Sequence, residues 1–172
     1  MEPQKPISHL VAGLIIGAIM VIFFLILQFT GLGQTPGVQW VGYVILISGL
    51  VIFINMYSKA MNGQVTFGNL FGYGFKITAV LTLIVIFFTV CFFLLFPDIK
   101  EKIFEITRQK MEERNTPDDQ IEKGLALWRK MFWVFTIGGT LLLYAIIGAI
   151  GSLLGAAITK KKPINPVDQL DM

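Results

Sequence analysis

The residues of this chain that could do chemistry are concentrated in one stretch. Residues 97–130 hold eight Lys/Arg (Lys100, Lys102, Arg108, Lys110, Arg114, Lys123, Arg129, Lys130) and eight Asp/Glu (Asp98, Glu101, Glu105, Glu112, Glu113, Asp118, Asp119, Glu122), 16 of the 25 charges in the chain. Two neighbouring carboxylates can divide general-acid and general-base work when their surroundings push their pKa values apart. Glu101/Glu105 and Glu112/Glu113 are such pairs. Each has a Lys or Arg within one helical turn, however. Mixed signs at helical spacing describe a solvated face with weak ion pairs rather than a tuned site.

Elsewhere the chemistry is sparse. His9 is the single histidine, and Glu2 is the nearest acid. Cys91 is the single cysteine, placed inside an apolar run; it has no disulfide partner and reads as a small hydrophobe. There is no HExxH, CxxC, phosphate-binding Gly-rich loop or nucleophile elbow. No cofactor or metal is expected, and the chain does not read as an enzyme. Polar residues within the apolar runs are Gln28, Ser48, Asn55, Thr78, Thr82, Thr89 and Thr140, with no Asp or Glu among them. A carboxylate proton relay is therefore not expected, and hydrogen bonding between helices is the expected role of these groups. One other cluster stands out: Lys160, Lys161 and Lys162 close an apolar run, a position suited to anionic lipid headgroups and equally to a plain topology signal.

The elements that carry these residues are membrane spans. The chain is 55% hydrophobic and 15% charged, with mean hydropathy +0.72. A soluble domain carries about 25% charged residues, so lipid is the solvent for most of this one. The net charge of +3 is small, and the basic residues outside 97–130 lie in tails and one turn. That is a membrane-flanking pattern and not a nucleic-acid surface. The first apolar run is longer than a signal-peptide core and no small-x-small cleavage site follows it, so it reads as a retained helix.

A span needs about 20 apolar residues. Residues 6–58 carry no Asp, Glu, Lys or Arg and are broken by Gly31, Gly33, Pro36 and Gly37, which divides them into spans at 8–29 and 39–58. A third span is expected at 67–96, capped by Thr66, and a fourth at 131–158, with a flexible tail at 160–172. The expectation is an all-α, integral membrane four-helix bundle forming a single domain. Gly13 and Gly17, Gly68 and Gly72, and Gly148, Gly151 and Gly155 lie at spacings that put small residues on one helix face, so helix packing is expected there.

Between the third and fourth spans, residues 97–130 read as a protruding amphipathic helical hairpin. Pro97 opens one helix and Asn115 ends it. Thr116 is expected to cap the next, with Pro117 at its first position, and that helix is expected to run straight into the fourth span. Ile99, Ile103 and Ile106 form one apolar stripe, and Ile121, Leu125 and Trp128 another. The stripes either pack on each other or mark a partner contact. Trp40, Trp128 and Trp133 read as interface anchors on the hairpin's side. Lys5, Lys59, Lys76 and Lys160–Lys162 fall on the other side. By the positive-inside rule this puts both termini in the cytoplasm and the hairpin in the periplasm, against the eight Lys/Arg of the hairpin itself.

The punctuation of the chain resembles a known family. The turn Gly63-Gln64-Val65-Thr66-Phe67-Gly68 leads into Gly74-Phe75-Lys76; Phe96-Pro97-Asp98-Ile99 opens the charged helix; Thr116-Pro117-Asp118-Asp119-Gln120-Ile121-Glu122-Lys123-Gly124-Leu125 enters the last span. Together they resemble the DUF4199 family of Bacteroidota membrane proteins, over nearly the whole chain. The resemblance implies a four-helix inner-membrane protein with no active residues, and loosely a partnership with a polyprenyl-phosphate glycosyltransferase. The expected function is that of a non-enzymatic accessory or structural subunit of a larger membrane assembly, with 97–130 as its contact element. Its partners would be membrane lipid and other membrane proteins or a second copy. The alternative is a small transporter or lipid-handling protein with Asn55, Lys76 and the threonines of the third span along its path.

Overall fold

The structure is a computed structural model that describes residues 6–162; the ends 1–5 and 163–172, including most of the expected tail, lie outside the described residues. Six α-helices follow in order: α1 (His9–Thr30), α2 (Val38–Ala60), α3 (Phe67–Leu95), α4 (Pro97–Glu113), α5 (Asp118–Lys130) and α6 (Phe132–Ile158). Four of them (α1, α2, α3 and α6) are long and apolar enough to cross a membrane. Their outward residues include Leu14, Ile22, Leu83 and Leu142, each more than half exposed, a surface that water would not tolerate and acyl chains would. By length and composition the chain is a multi-pass membrane protein.

The helix ends follow from local chemistry. Ser8 caps α1 by accepting from the Val11 N–H at 3.3 Å, and Thr66 Oγ1 accepts from the Asn69 N–H at 3.1 Å at the start of α3. Such caps contribute about 1 kcal/mol each. The α1–α2 link is a 3-10 turn, Leu32–Gln34. Two further ends share one device. Asn62 and Asn115 both sit at φ 55°. Beyond α2, Gly63 N–H bonds the Ser58 carbonyl and Asn62 N–H the Lys59 carbonyl; beyond α4, Thr116 N–H bonds the Met111 carbonyl and Asn115 N–H the Glu112 carbonyl. This is the paired 6→1 and 5→2 closure of a Schellman motif, with asparagine in the left-handed position.

That closure corrects the expected start of α5. Thr116 belongs to the end of α4 and does not cap α5; Pro117 occupies the cap position and no side chain bonds there. Nor does α5 run straight into the last span. Met131 (φ −108°, ψ 19°) interrupts the helix for one residue, while the Met131 N–H to Leu127 and Phe135 N–H to Met131 carbonyl bonds carry the chain across.

The described residues divide into two compact units, one of 6–85 with 143–162 and one of Ile86–Leu142, so α3 and α6 each contribute to both. In the first unit the core is a contiguous apolar cluster: Ala12, Ile16 and Met20 of α1, Leu46, Leu50 and Ile54 of α2, Leu70, Ile77 and Leu81 of α3, and Ala156 of α6. Between membrane helices there is little hydrophobic drive, so close backbone approach through small residues does the packing. A Cβ on Gly13 would fall 2.7 Å from Val80, and one on Gly17 3.0 Å from Ile84. On α6, a Cβ at Gly148 would collide with Thr78, at Gly151 would fall 2.9 Å from Leu50, and at Gly155 2.6 Å from Ile54. Gly74, not singled out by spacing, is as tight, at 2.7 Å from both Ile54 and Ser152.

Gly68 and Gly72 differ. Nothing lies within 4 Å of a Cβ at Gly72, and only Thr66 Oγ1, at 3.8 Å, approaches one at Gly68. The expected helix packing does not occur at either. Their face of α3 borders an open cavity instead of a neighbouring helix.

In the second unit α4 and α5 pair, with Phe92, Phe104, Ile121 and Phe132 buried. Phe104 is the centre. Its ring meets Trp128 edge-on at 4.9 Å and Phe132 at 5.8 Å, and the Arg129 guanidinium lies 4.9 Å from its centroid. The positive edge of one ring meets the negative face of the other in this T-shaped geometry.

Candidate functional site

Among the described residues, two places bring polar side chains together. The first is the end of the first unit where the α1 start, the α2–α3 turn and the α6 exit meet. Three long-range hydrogen bonds hold it. Tyr73 donates its hydroxyl to the Ile7 carbonyl (2.8 Å), Ser58 donates to the Lys160 carbonyl (2.9 Å), and the Lys162 N–H donates to the Gly63 carbonyl (2.9 Å). Tyr57 and Tyr73 stack with centroids 4.2 Å apart. Gly63 has φ +79°, and the Lys162 stem lies over it, 3.2 Å from where a Cβ would stand.

Around this knot lie two open cavities. One, of about 610 Å³, is lined by Asn55, Ser58, Lys59, Asn62, Gly63, Ile158, Thr159, Lys160 and Lys162. The other, of about 480 Å³, is lined by residues 6–9, Tyr57, Gly68, Asn69, Gly72, Tyr73 and Lys76. His9 is thus a wall of the second cavity. The described residues of the first unit carry Lys59, Lys76, Lys160, Lys161 and Lys162 and no Asp or Glu.

The three consecutive lysines are not equivalent. Lys161 Nζ donates to the Ala156 carbonyl (2.7 Å) at the end of α6 and sits 5.1 Å from the Phe67 ring centroid, a cation completing a helix C-terminus. Lys160 and Lys162 line the larger cavity. Thr159, beside them, is 3% exposed, and its hydroxyl has no hydrogen-bond partner.

The second place is the α4–α5 hairpin. Glu101 accepts from Arg129 across the two helices at 2.9 Å, while Arg108–Glu112 and Lys123–Asp119 pair along one helix each. All are exposed, so solvent screening leaves each a minor contribution. Glu112, by accepting from Arg108, raises the pKa of that guanidinium further. Glu101 and Glu112, one from each suggested carboxylate pair, are thus tied into ion pairs.

The apolar stripes turn inward. Ile121 is buried, Leu125 and Trp128 are half-buried, and Ile99, Ile103 and Ile106 are half-buried. The centre of α4 is rotated from the isoleucines by one residue. Lys100, Phe104, Thr107 and Met111, at i, i+4, i+7 and i+11, are its inward line. Lys100 Nζ lies 4.6 Å from the Phe132 centroid, Thr107 donates to the Ile103 carbonyl, and Met111 reaches 3.8 Å from a Cβ at Gly124. Two of those four are polar by type, which hides the line from a hydrophobicity count. Trp128, expected as an interface anchor, is a partner of Phe104. Trp40 is exposed with Tyr43 at its edge, and Trp133 packs edge-on to Phe132. Cys91 is half-buried.

Four threonine hydroxyls of the spans bond their own helices, while the buried Ser152 hydroxyl of α6 has no hydrogen-bond partner. Thr30 donates to Ile26, Thr78 to Gly74, Thr82 to Thr78 and Thr140 to Thr136, all at 2.6–3.1 Å. Asn55 and Lys76 border different cavities. Among the described residues no group of three or more His, Cys, Asp or Glu comes together as a metal site would require.

No curated protein and no solved structure matches the chain. The family described as "Protein of unknown function (DUF4199)" matches residues 12–161, and the chain belongs to that family.

Proposed function

We propose that this protein is a non-enzymatic accessory subunit of a larger membrane assembly, with the α4–α5 hairpin as its contact element. The observation that carries this reading is where the buried threonine hydroxyls of α3 go. Thr78 and Thr82, the buried hydroxyls of α3, both donate to carbonyls one turn back in their own helix, and the surrounding core is Ile77, Leu81, Leu50 and Ile54 at 0% exposure. Groups committed in this way support packing. A conducting path needs them turned toward a shared space, which disfavours the transporter alternative.

The hairpin fits a contact role through its closed core. Its apolar residues close on Phe104 and Ile121, leaving an outward surface of alternating charge together with Leu127, 52% exposed. Such a surface selects partners by electrostatic complementarity. The proposed setting is the bacterial inner membrane with both termini cytoplasmic and the hairpin in the periplasm. The clustering of Lys59, Lys76 and Lys160–Lys162 at one end of the first unit supports that orientation.

The test is photo-crosslinking in cells that express the chain at native level, with the crosslinker placed at Glu105 or Leu127. A discrete adduct of higher mass at these positions, and none at the outward span position Leu142, is the expected result. Absence of any protein adduct at both hairpin positions would sink the proposal.

A further inference from the structure

We infer that the larger cavity of the first unit is a binding site for the phosphate group of an anionic lipid headgroup, held by Lys59, Lys160 and Lys162 with Thr159 at its base. The inference is independent of the accessory-subunit reading. It rests on this one end of the first unit.

Four observations converge. Three lysines line the cavity, in a unit whose described residues carry no Asp or Glu. An anionic occupant would supply the counter-charge. The wall also holds a hydroxyl in need of a partner, because Thr159 is 97% buried and its Oγ1 bonds nothing. A buried hydroxyl left unsatisfied costs about 1–3 kcal/mol, and a phosphate oxygen would accept from it. Third, the lysines are held in place. Ser58 fixes the Lys160 carbonyl and Gly63 fixes the Lys162 N–H, so the backbone between them is anchored at both ends. With alternate residues pointing to opposite sides, Lys160 and Lys162 face the cavity while Lys161 turns back to Ala156 and Phe67.

The fourth observation identifies the source of the phosphate as a lipid. Ile158, 63% exposed, forms part of the same wall. It continues the apolar outer surface of α6 through Leu154, 46% exposed. An occupant that fills the cavity with its head therefore finds a lipid-facing helix for its tail. A free phosphate would leave that edge unused.

The experiment uses the full chain in a non-ionic detergent, with retention of added lipid read by native mass spectrometry. Phosphatidylglycerol is compared with phosphatidylcholine and with inorganic phosphate. One phosphatidylglycerol per chain is expected at low lipid, with phosphatidylcholine and inorganic phosphate retained far less. Attraction of a lysine to an anionic headgroup is worth about fivefold in affinity, so Lys160→Gln with Lys162→Gln should weaken retention by about 25-fold. Lys161→Gln, whose ammonium is held at the Ala156 carbonyl, should weaken it much less than either neighbour does. Thr159→Val should reduce retention while leaving the thermal midpoint of the lipid-free chain unchanged or raised. Lys59→Gln, on α2 and away from the anchored segment, should give about a fivefold loss and serves if the double variant does not fold. Equal losses from Lys161→Gln and Lys160→Gln would mean general surface charge and overturn the inference. So would equal retention of phosphatidylcholine, or saturation by inorganic phosphate with no preference for the lipid.

Discussion

Gly148 of α6 lies so close to Thr78 of α3 that a methyl group on the glycine would overlap the threonine side chain. The same threonine hydroxyl is bonded to the Gly74 carbonyl at 3.1 Å, so it cannot swing away without losing that bond. The contact therefore has no slack on either side.

Gly148→Ala is expected to destabilise the first unit by about 1–3 kcal/mol, the usual cost of overpacking. Gly72→Ala, with open space around it, is expected to be neutral or slightly stabilising by helix propensity. Thermal unfolding of the detergent-solubilised chain checks both. A neutral Gly148→Ala would mean that α3 and α6 can separate without penalty.

In the second unit the prediction concerns Phe104, 1% exposed between Trp128 and Phe132. Phe104→Ala should cost about 3–5 kcal/mol locally and make the α4–α5 segment sensitive to limited proteolysis. Leu127→Ala, on the exposed side, should leave the cleavage pattern unchanged. Ile99→Ala should fall between them, since that side chain is half-buried on the flank of α4.

The α4–α5 turn offers a conformational test. Asn115 holds φ 55°, a region that costs an ordinary residue about 1–2 kcal/mol and a β-branched one more. Asn115→Gly should be tolerated and Asn115→Val should loosen the hairpin. Hydrogen exchange at the Thr116 amide, which closes on Met111, reads the difference directly.

The ion pair joining α4 and α5 should matter little. Glu101 and Arg129 are each 55% exposed at 2.9 Å, and such pairs contribute about 0–1 kcal/mol. Glu101→Gln should leave proteolysis of the hairpin unchanged, whereas Arg129→Ala should have a small additional effect by uncovering the Phe104 ring. A large effect of Glu101→Gln would show that the pair, and not the aromatic core, holds the hairpin.

What could be read from residues alone follows the range of the forces involved. The four spans depend on length and hydropathy, and α1, α2, α3 and α6 stand within a few residues of their expected limits. Thr66 as a cap and Asn115 as a stop are local signals and hold. Thr116 misled because its hydroxyl suits a cap, while its N–H had already closed α4 onto Met111. The inward line of α4 was hidden because Lys100 and Thr107 are polar by type, so the isoleucine stripe one residue away looked like the centre. Glycine spacing located Gly13, Gly17, Gly148, Gly151 and Gly155 at close approaches but could not separate them from Gly68 and Gly72, since spacing says which face is small and not whether a helix lies against it. The lysine-lined cavity depends on Ser58 reaching Lys160 across 102 residues, and no local pattern encodes that.

That separation also sets an order of assembly. Phe104, Trp128 and Phe132 are near neighbours along the chain, and contacts of short loop length form first. The first unit waits for the last span, because Thr78, Leu50 and Ile54 meet their partners on α6 only when Gly148, Gly151 and Gly155 arrive. Until α6 is in place, α1, α2 and α3 therefore lack the small-residue face that Gly148, Gly151 and Gly155 supply, and α6 is the closing stave of the first unit.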